Sequence, residues 1–197
     1  MAEIPLFPLP LVIFPGGRLP LQIFEPRYLD MIKQCMSEDS GFGIVMIREG
    51  NQVLGNAEDQ LPRISLQGTY SKVIDFNQLP NGMLGILAEG QMKFAILDQY
   101  ERPDRLMMAN VEFLDQEIDL PLPEHQAYLA TILQTLMQHQ QIESLKYEVD
   151  FNIAENVGAR LTELLPCDNL VKQRLFEMND SLARLDEIEK VIAELQG

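Results

Sequence analysis

Up to about residue 118 the apolar residues come in short runs rich in Ile, Val, Leu and Phe, separated by Gly, Pro and Asn. That is the punctuation of strands. The runs predict strands over Ile4 to Phe7, Arg18 to Phe24, Phe42 to Arg48, Ile64 to Phe76 with a break near Gly68, Met83 to Glu89, Met92 to Tyr100 and Met107 to Phe113. Leu79-Pro80-Asn81-Gly82 predicts a turn joining a hairpin: Pro presets φ, and Asn-Gly tolerates φ > 0. One helix interrupts the strands. Pro26 suits its first position, and Tyr28, Met31, Ile32, Cys35 and Met36 then recur at helical spacing, which predicts a face buried under the sheet. On that face Tyr28 is expected as a core aromatic with a hydrogen-bonded hydroxyl.

Asp119-Leu120-Pro121-Leu122-Pro123 ends the strand-rich part, because two prolines in three residues suit neither a strand ladder nor a helix interior. The expected domains are therefore 1–118, β-rich, and 119–197, helical. Beyond the prolines the period becomes about 3.6. Leu129, Ile132, Leu133, Leu136 and Met137 mark one helix, and Ile153, Val157, Leu161, Leu164 and Leu165 the next. Pro166 ends that helix and Asp168 can cap another, carrying Leu170, Val171, Leu175 and Met178. Asp180 or Ser181 caps a last helix with Leu182, Leu185, Ile188, Ile192 and Leu195. A bundle of about four helices is expected. No repeat of 20 to 50 residues and no linker composition interrupts the pattern, so the whole chain is expected to fold.

Composition narrows the function classes. The 197 residues, 46% of them hydrophobic, suffice for one sizeable core, or for a core with a smaller helical part. Two cysteines far apart, Cys35 and Cys167, predict reduced thiols in a cytosolic protein rather than a disulfide framework. The N-terminal stretch lacks a basic region before its prolines, and no apolar run approaches the roughly 20 residues of a membrane span. A soluble cytoplasmic protein without a membrane partner is expected. The formal charge is -15, spread as 9 basic and 17 acidic residues over 1–120 and 6 and 13 over 121–197. Such a surface repels phosphate backbones, so no nucleic-acid partner is expected.

A series of blocks then carries a resemblance. Ile4-Pro5-Leu6-Phe7-Pro8-Leu9 is followed by Val12-Ile13-Phe14-Pro15-Gly16-Gly17-Arg18-Leu19-Pro20-Leu21 and by Ile23-Phe24-Glu25-Pro26-Arg27-Tyr28. With Gln67 to Ile74, Leu79 to Met83 and Ala88-Glu89-Gly90, and with Phe151 to Leu185, this order resembles the N-terminal domain of Lon proteases and its stand-alone relatives. The resemblance covers nearly the whole chain. It implies an α+β fold: a β-rich, PUA-like pseudobarrel with one inserted helix, then a helical part. It also implies a role in recognising polypeptide substrates. Lon itself continues into an ATPase and a serine/lysine protease, and neither is expected in a chain that stops at Gly197.

The motifs also have local physical readings. Pro15 fixes φ and Gly16-Gly17 allow backbone shapes closed to other residues, so a tight turn accounts for them. Glu25 and Arg27 flank a helix start, where the carboxylate can face the positive helix end and the guanidinium can reach a carboxylate or carbonyl. A polar clasp that fixes the fold is the first reading. Contact with a ligand or peptide by Arg18, Glu25 and Arg27 is the second.

The sequence carries fragments of catalytic signatures, none of them complete. Gly85-Ile86-Leu87-Ala88-Glu89-Gly90-Gln91-Met92 has the glycine spacing of a phosphate loop but neither its Lys nor its Ser or Thr, and is expected to form a hairpin corner. His125 and His139, at either end of one predicted helix, stand roughly 21 Å apart at 1.5 Å per residue and cannot share a metal. Ser71 and Lys72 project to opposite faces of a strand, and Gly-x-Ser-x-Gly is absent. No cofactor and no enzymatic activity are expected. The predicted partners are unfolded or extended polypeptides and a separate ATP-dependent protease or chaperone. RNA binding through a PUA-like surface, a small-ligand pocket and an unrecognised hydrolase are the alternatives.

Overall fold

A computed structural model of the protein describes residues 1–52 and 60–196; for 53–59 and 197 the expectation of a folded chain lies outside the described residues. The chain divides into two compact units, Met1–Asp115 and Gln116–Gly197. The first holds β1 Ala2–Leu9, β2 Arg18–Ile23, α1 Pro26–Ser37, β3 Phe42–Glu49, β4 Arg63–Gln78, β5 Leu84–Glu101 and β6 Met107–Phe113. The strands form one sheet in the order β2-β5-β4-β3-β1-β6, and β5 also pairs with β6. Five strands therefore close on themselves, and β2 remains outside as an edge strand against the first half of β5. This is the expected pseudobarrel. All pairings are antiparallel except β1 with β3.

Two expectations about the strands are corrected. β4 runs through Gly68 without a break, and β5 is a single strand where two strands and a corner at Gly85–Met92 were expected. The glycines serve close packing there instead of chain reversal. A Cβ on Gly68 would lie 2.4 Å from the Ile44 carbonyl oxygen, and one on Gly90 would lie 2.3 Å from that of Phe14. The Phe14–Gly17 turn is laid against β5 at that point. Gly16 N–H donates to the Gly90 carbonyl at 2.8 Å, and Gly90 N–H donates to the Gly17 carbonyl at 2.9 Å. β5 absorbs the irregularity as a bulge: Tyr70 faces Met92 and Ser71 faces Gly90, leaving Gln91 as the extra residue. The hairpin turn forms as expected, closed by Gly82 N–H donating to the Leu79 carbonyl, but only Gly82 takes φ > 0, at 82°. The Asn81 side chain accepts from Met83 N–H instead.

Helix α1 packs Tyr28, Met31, Ile32 and Cys35 into a core with Phe7, Ile13, Phe42 and Ile86. Burial of each large apolar side chain contributes up to about 1.5–3 kcal/mol. Met36, expected on that face, is 41% exposed, since helical rotation puts it at the margin of the apolar stripe. A second cluster, with Ile4, Leu6, Val45, Phe94, Ala109 and Val111, fills the barrel.

The second unit contains a single 3-10 turn, Glu124–Gln126, then α2 Ala127–Met137, α3 Gln140–Glu143, α4 Ala154–Leu164, α5 Asn169–Glu177 and α6 Ser181–Gln196. Four longer helices thus form the bundle, around Leu129, Leu133, Val157, Leu161, Leu175, Leu185 and Ile188. Asp168 caps α5 by accepting from Leu170 N–H at 2.7 Å; Asp180, not Ser181, caps α6 by accepting from Leu182 and Ala183 N–H, both at 3.0 Å. Leu170 and Leu195, expected on inner faces, are exposed. Arg184, which the apolar period passes over, is fully buried. It pairs with Glu117, and its guanidinium donates to the Leu175 and Met178 carbonyls.

Candidate functional site

The three candidate contact residues occupy two places. Arg18, at the start of β2, pairs with Glu89 directly across on β5, Nε to Oε2 at 2.8 Å. Glu25 and Arg27 come together at the start of α1. Arg27 Nη2 donates to Glu25 Oε2 at 2.8 Å, and Nη1 donates to the Arg105 carbonyl at 2.8 Å. The guanidinium also lies 4.5 Å from the centre of the Tyr28 ring. Arg27 is buried, so this cluster ties the helix start to the turn before β6. Glu25 occupies the N-cap position without a side-chain cap; its carboxylate is spent on Arg27. Tyr28 stacks on Phe7 with ring centroids 4.1 Å apart, and burial pushes its hydroxyl up to about 12. The expected hydrogen bond to that hydroxyl has no protein partner among the described residues.

Two surfaces on the barrel unit have the shape and chemistry to receive a ligand. The first is the arm formed where β2, β5 and β4 extend beyond β3. A shallow cavity of about 390 Å³ lies among Pro20, Leu21, Phe76, Leu79, Ile86 and neighbouring residues. Leu21, Ile86 and Phe76 are directly opposite one another across the three strands. Ile86 is buried, whereas Phe76 at the end of the row is 58% exposed. Ile74, the extra residue of a bulge between Val73 and Asp75, is 43% exposed; Phe24 and Met83, at the ends of β2 and β5, are exposed too. Exposed apolar side chains therefore recur on all three strands of the arm, Phe24 and Met83 where β2 ends and β5 begins, and Ile74 and Phe76 on β4, across β5 from β2.

The second surface is a groove of about 760 Å³ bounded by the start of β1, one flank of α1, and residues of β4, β5 and β6. Its apolar wall includes Met31, Tyr70, Met92, Met108 and Phe113, and Glu3, Glu38 and Arg102 supply its charges. Sequence reasoning missed it. Its residues come from five elements, and only closure of the barrel brings them side by side.

Among the described residues the Cys, His, Ser and Lys side chains considered as catalytic candidates lie apart from one another. Cys35 is buried with its thiol 3.4 Å from the Gly41 carbonyl oxygen, and burial pushes both it and the Cys167 thiol up, away from the reactive thiolate. His125 sits in the 3-10 turn and His139 at the start of α3. Among the described residues no group of three or more Cys, His, Asp or Glu could hold a metal ion. The Ser71 hydroxyl donates within its own strand, and Lys72 binds Asp39. No helix among the described residues is long and apolar enough to cross a membrane.

Residues 3–194 match the family model described as the ATP-dependent protease La (LON) substrate-binding domain. Among curated proteins, Lon protease of Bacillus thuringiensis is 24% identical over 200 residues, covering 98% of this chain and 24% of its own. Lon protease of Parabacteroides distasonis is 24% identical over 90% of this chain and 22% of its own. The chain thus spans about a quarter of the length of these relatives. Among solved structures, a Lon N-terminal domain protein from Xanthomonas campestris superposes with a TM-score of 0.76 at 26% identity, covering 96% of this chain and 98% of that one. The N-terminal domain of Mycobacterium avium complex Lon protease shares the fold, with a TM-score of 0.59 at 13% identity, over 95% and 96% of the two chains. With its closed barrel, inserted helix and helical bundle, the chain belongs to the Lon substrate-binding domain family.

Proposed function

We propose that the protein is a non-catalytic module that takes up exposed apolar segments of unfolded polypeptides. The observation that carries this reading is the arm, the three-stranded extension of the sheet on which Phe24, Ile74, Phe76 and Met83 all stay exposed. Water-exposed apolar side chains on one arm favour association with apolar partners, and the β2 edge of the same arm can accept an extended backbone. Support also comes from the substrate-binding description of the matching family.

Of the three candidate contacts, Arg18 lies on that edge strand and would touch a bound segment, while Glu25 and Arg27 hold α1 in position. A separate ATP-dependent protease or chaperone in the cytoplasm would receive the captured chain. The test is capture of a reduced, carbamidomethylated protein that stays unfolded in buffer. Replacing Ile74 and Phe76 together by Ser removes exposed surface without touching the core, so circular dichroism should stay unchanged while affinity falls at least fivefold. Unaltered affinity in the folded double variant would remove the arm from the binding surface.

A further inference from the structure

The groove beside α1 has a feature that its volume alone does not convey. β1 changes partner halfway. Residues Ala2 to Pro5 pair with β6, and residues Leu6 to Leu9 pair with β3 on the other side. β3 begins at Phe42 and reaches only the second half of β1. Along Ala2–Pro5 the side away from β6 therefore has no strand against it among the described residues. Those same four residues form one wall of the groove. An open strand edge presents backbone donors and acceptors at strand spacing, which is the template for adding an extended chain. Pro5 has no N–H to offer, which limits the match to a few residues, on the order of 13 Å at 3.3 Å per residue.

The rest of the lining says what side chains such a segment carries. Met31, Met92 and Met108 are unbranched and polarizable, and they adapt to apolar groups of differing shape. The charges are unbalanced. Arg102 is paired with Asp104, and nearby Lys72 is paired with Asp39. Glu38 accepts only an amide hydrogen bond from Gln34, and Glu3 one from the Tyr100 hydroxyl. Neither carboxylate has a cationic partner among the described residues. An apolar groove with two unmatched carboxylates and an open strand edge is complementary to an extended, apolar segment carrying Lys or Arg.

We propose that this groove is a second binding site, which takes such a basic, apolar segment as an added strand alongside Ala2–Pro5. The proposal rests on the polypeptide-binding reading but names a different place and a charge preference that the arm does not supply.

The test is a fluorescence-anisotropy titration of the full chain with three dye-labelled nine-residue peptides at low salt. One has an apolar centre flanked by lysines, the second replaces the lysines by Glu, and the third is the lysine peptide N-methylated at alternate backbone nitrogens. The lysine peptide should bind at least tenfold tighter than either of the others. The E3K/E38K double variant, changed at two exposed positions, should lose or reverse the preference for lysine while still capturing the unfolded protein through the arm. Equal binding of the lysine and Glu peptides, or a charge preference unchanged in the folded double variant, overturns the groove and leaves the arm reading intact. Indifference to N-methylation overturns the added strand. Failure to bind both peptides and unfolded protein overturns both readings.

Discussion

At the scale of the residue, Tyr28 is where burial has a consequence in solution. Its ring is enclosed by Phe7 and the Arg27 guanidinium, and burial holds the phenol protonated up to about 12, above its ordinary 10.0. Below pH 10 the folded and unfolded chains both bind this proton, and the group adds no pH dependence. Between 10 and about 12 the unfolded chain has released it and the folded chain has not, so stability falls as pH rises, by up to about 1.4 kcal/mol per unit. The stabilising contribution is fully present below 10 and is lost as pH climbs through the folded value. Tyr28→Phe should flatten that decline by about 2 kcal/mol between pH 9 and 11.5 in urea denaturation. Tyr100 and Tyr128 are also raised, but they are common to both proteins and cancel in the comparison. Tyr28 was legible as a core aromatic because it lies on the helical apolar stripe. Arg184 was not, because a charged residue at an off-stripe position reads as surface; only the three-dimensional arrangement of Glu117 and two carbonyls makes its burial tolerable.

At the scale of the element, helix starts were the most readable features of the bundle. Asp before an apolar period signals a cap, and both Asp168 and Asp180 accept backbone N–H groups at the starts of α5 and α6. Asp180→Ala should cost about 1–2 kcal/mol and Asp168→Ala about 1 kcal/mol, with Ser in place of Asp180 recovering most of the loss, read from urea midpoints. Helix α4 provides the contrast: its start has no side-chain cap, and Ala154 N–H instead donates to the Leu120 carbonyl at 2.8 Å. The strands were readable in place but not in continuity. A glycine that ends a strand and one that admits a neighbouring backbone look the same in a sequence, so Gly90 suggested a corner although β5 continues through it. The arm and the groove were unreadable for a related reason. Exposure of Phe76 depends on β4 outrunning β3, and the open half of β1 depends on where β3 begins; both are properties of register.

At the scale of the whole molecule, charge is the term that no single contact controls. Met1–Asp115 carries nine basic and fifteen acidic residues, and Gln116–Gly197 carries six and fifteen, so each unit is acidic in its own right, at -6 and -9. The ion pairs that involve a fully buried partner are few, and pairs such as Lys33–Asp30 and Arg63–Glu49 are solvent-exposed and contribute little. What remains is repulsion among excess carboxylates, which is stronger in the compact state than in the expanded one. Salt screens it, with a Debye length of about 30 Å at 0.01 M falling to about 10 Å at 0.1 M. The urea midpoint should therefore rise as sodium chloride goes from about 10 mM to about 0.1 M, with the change confined to that range of screening. A midpoint that fell with salt would mean that attractive pairs outweigh the net charge. The same excess acts on partners: it disfavours phosphate-rich polymers and attracts cationic segments, so binding of a lysine-bearing peptide should weaken over the same salt range in which the fold itself grows more stable.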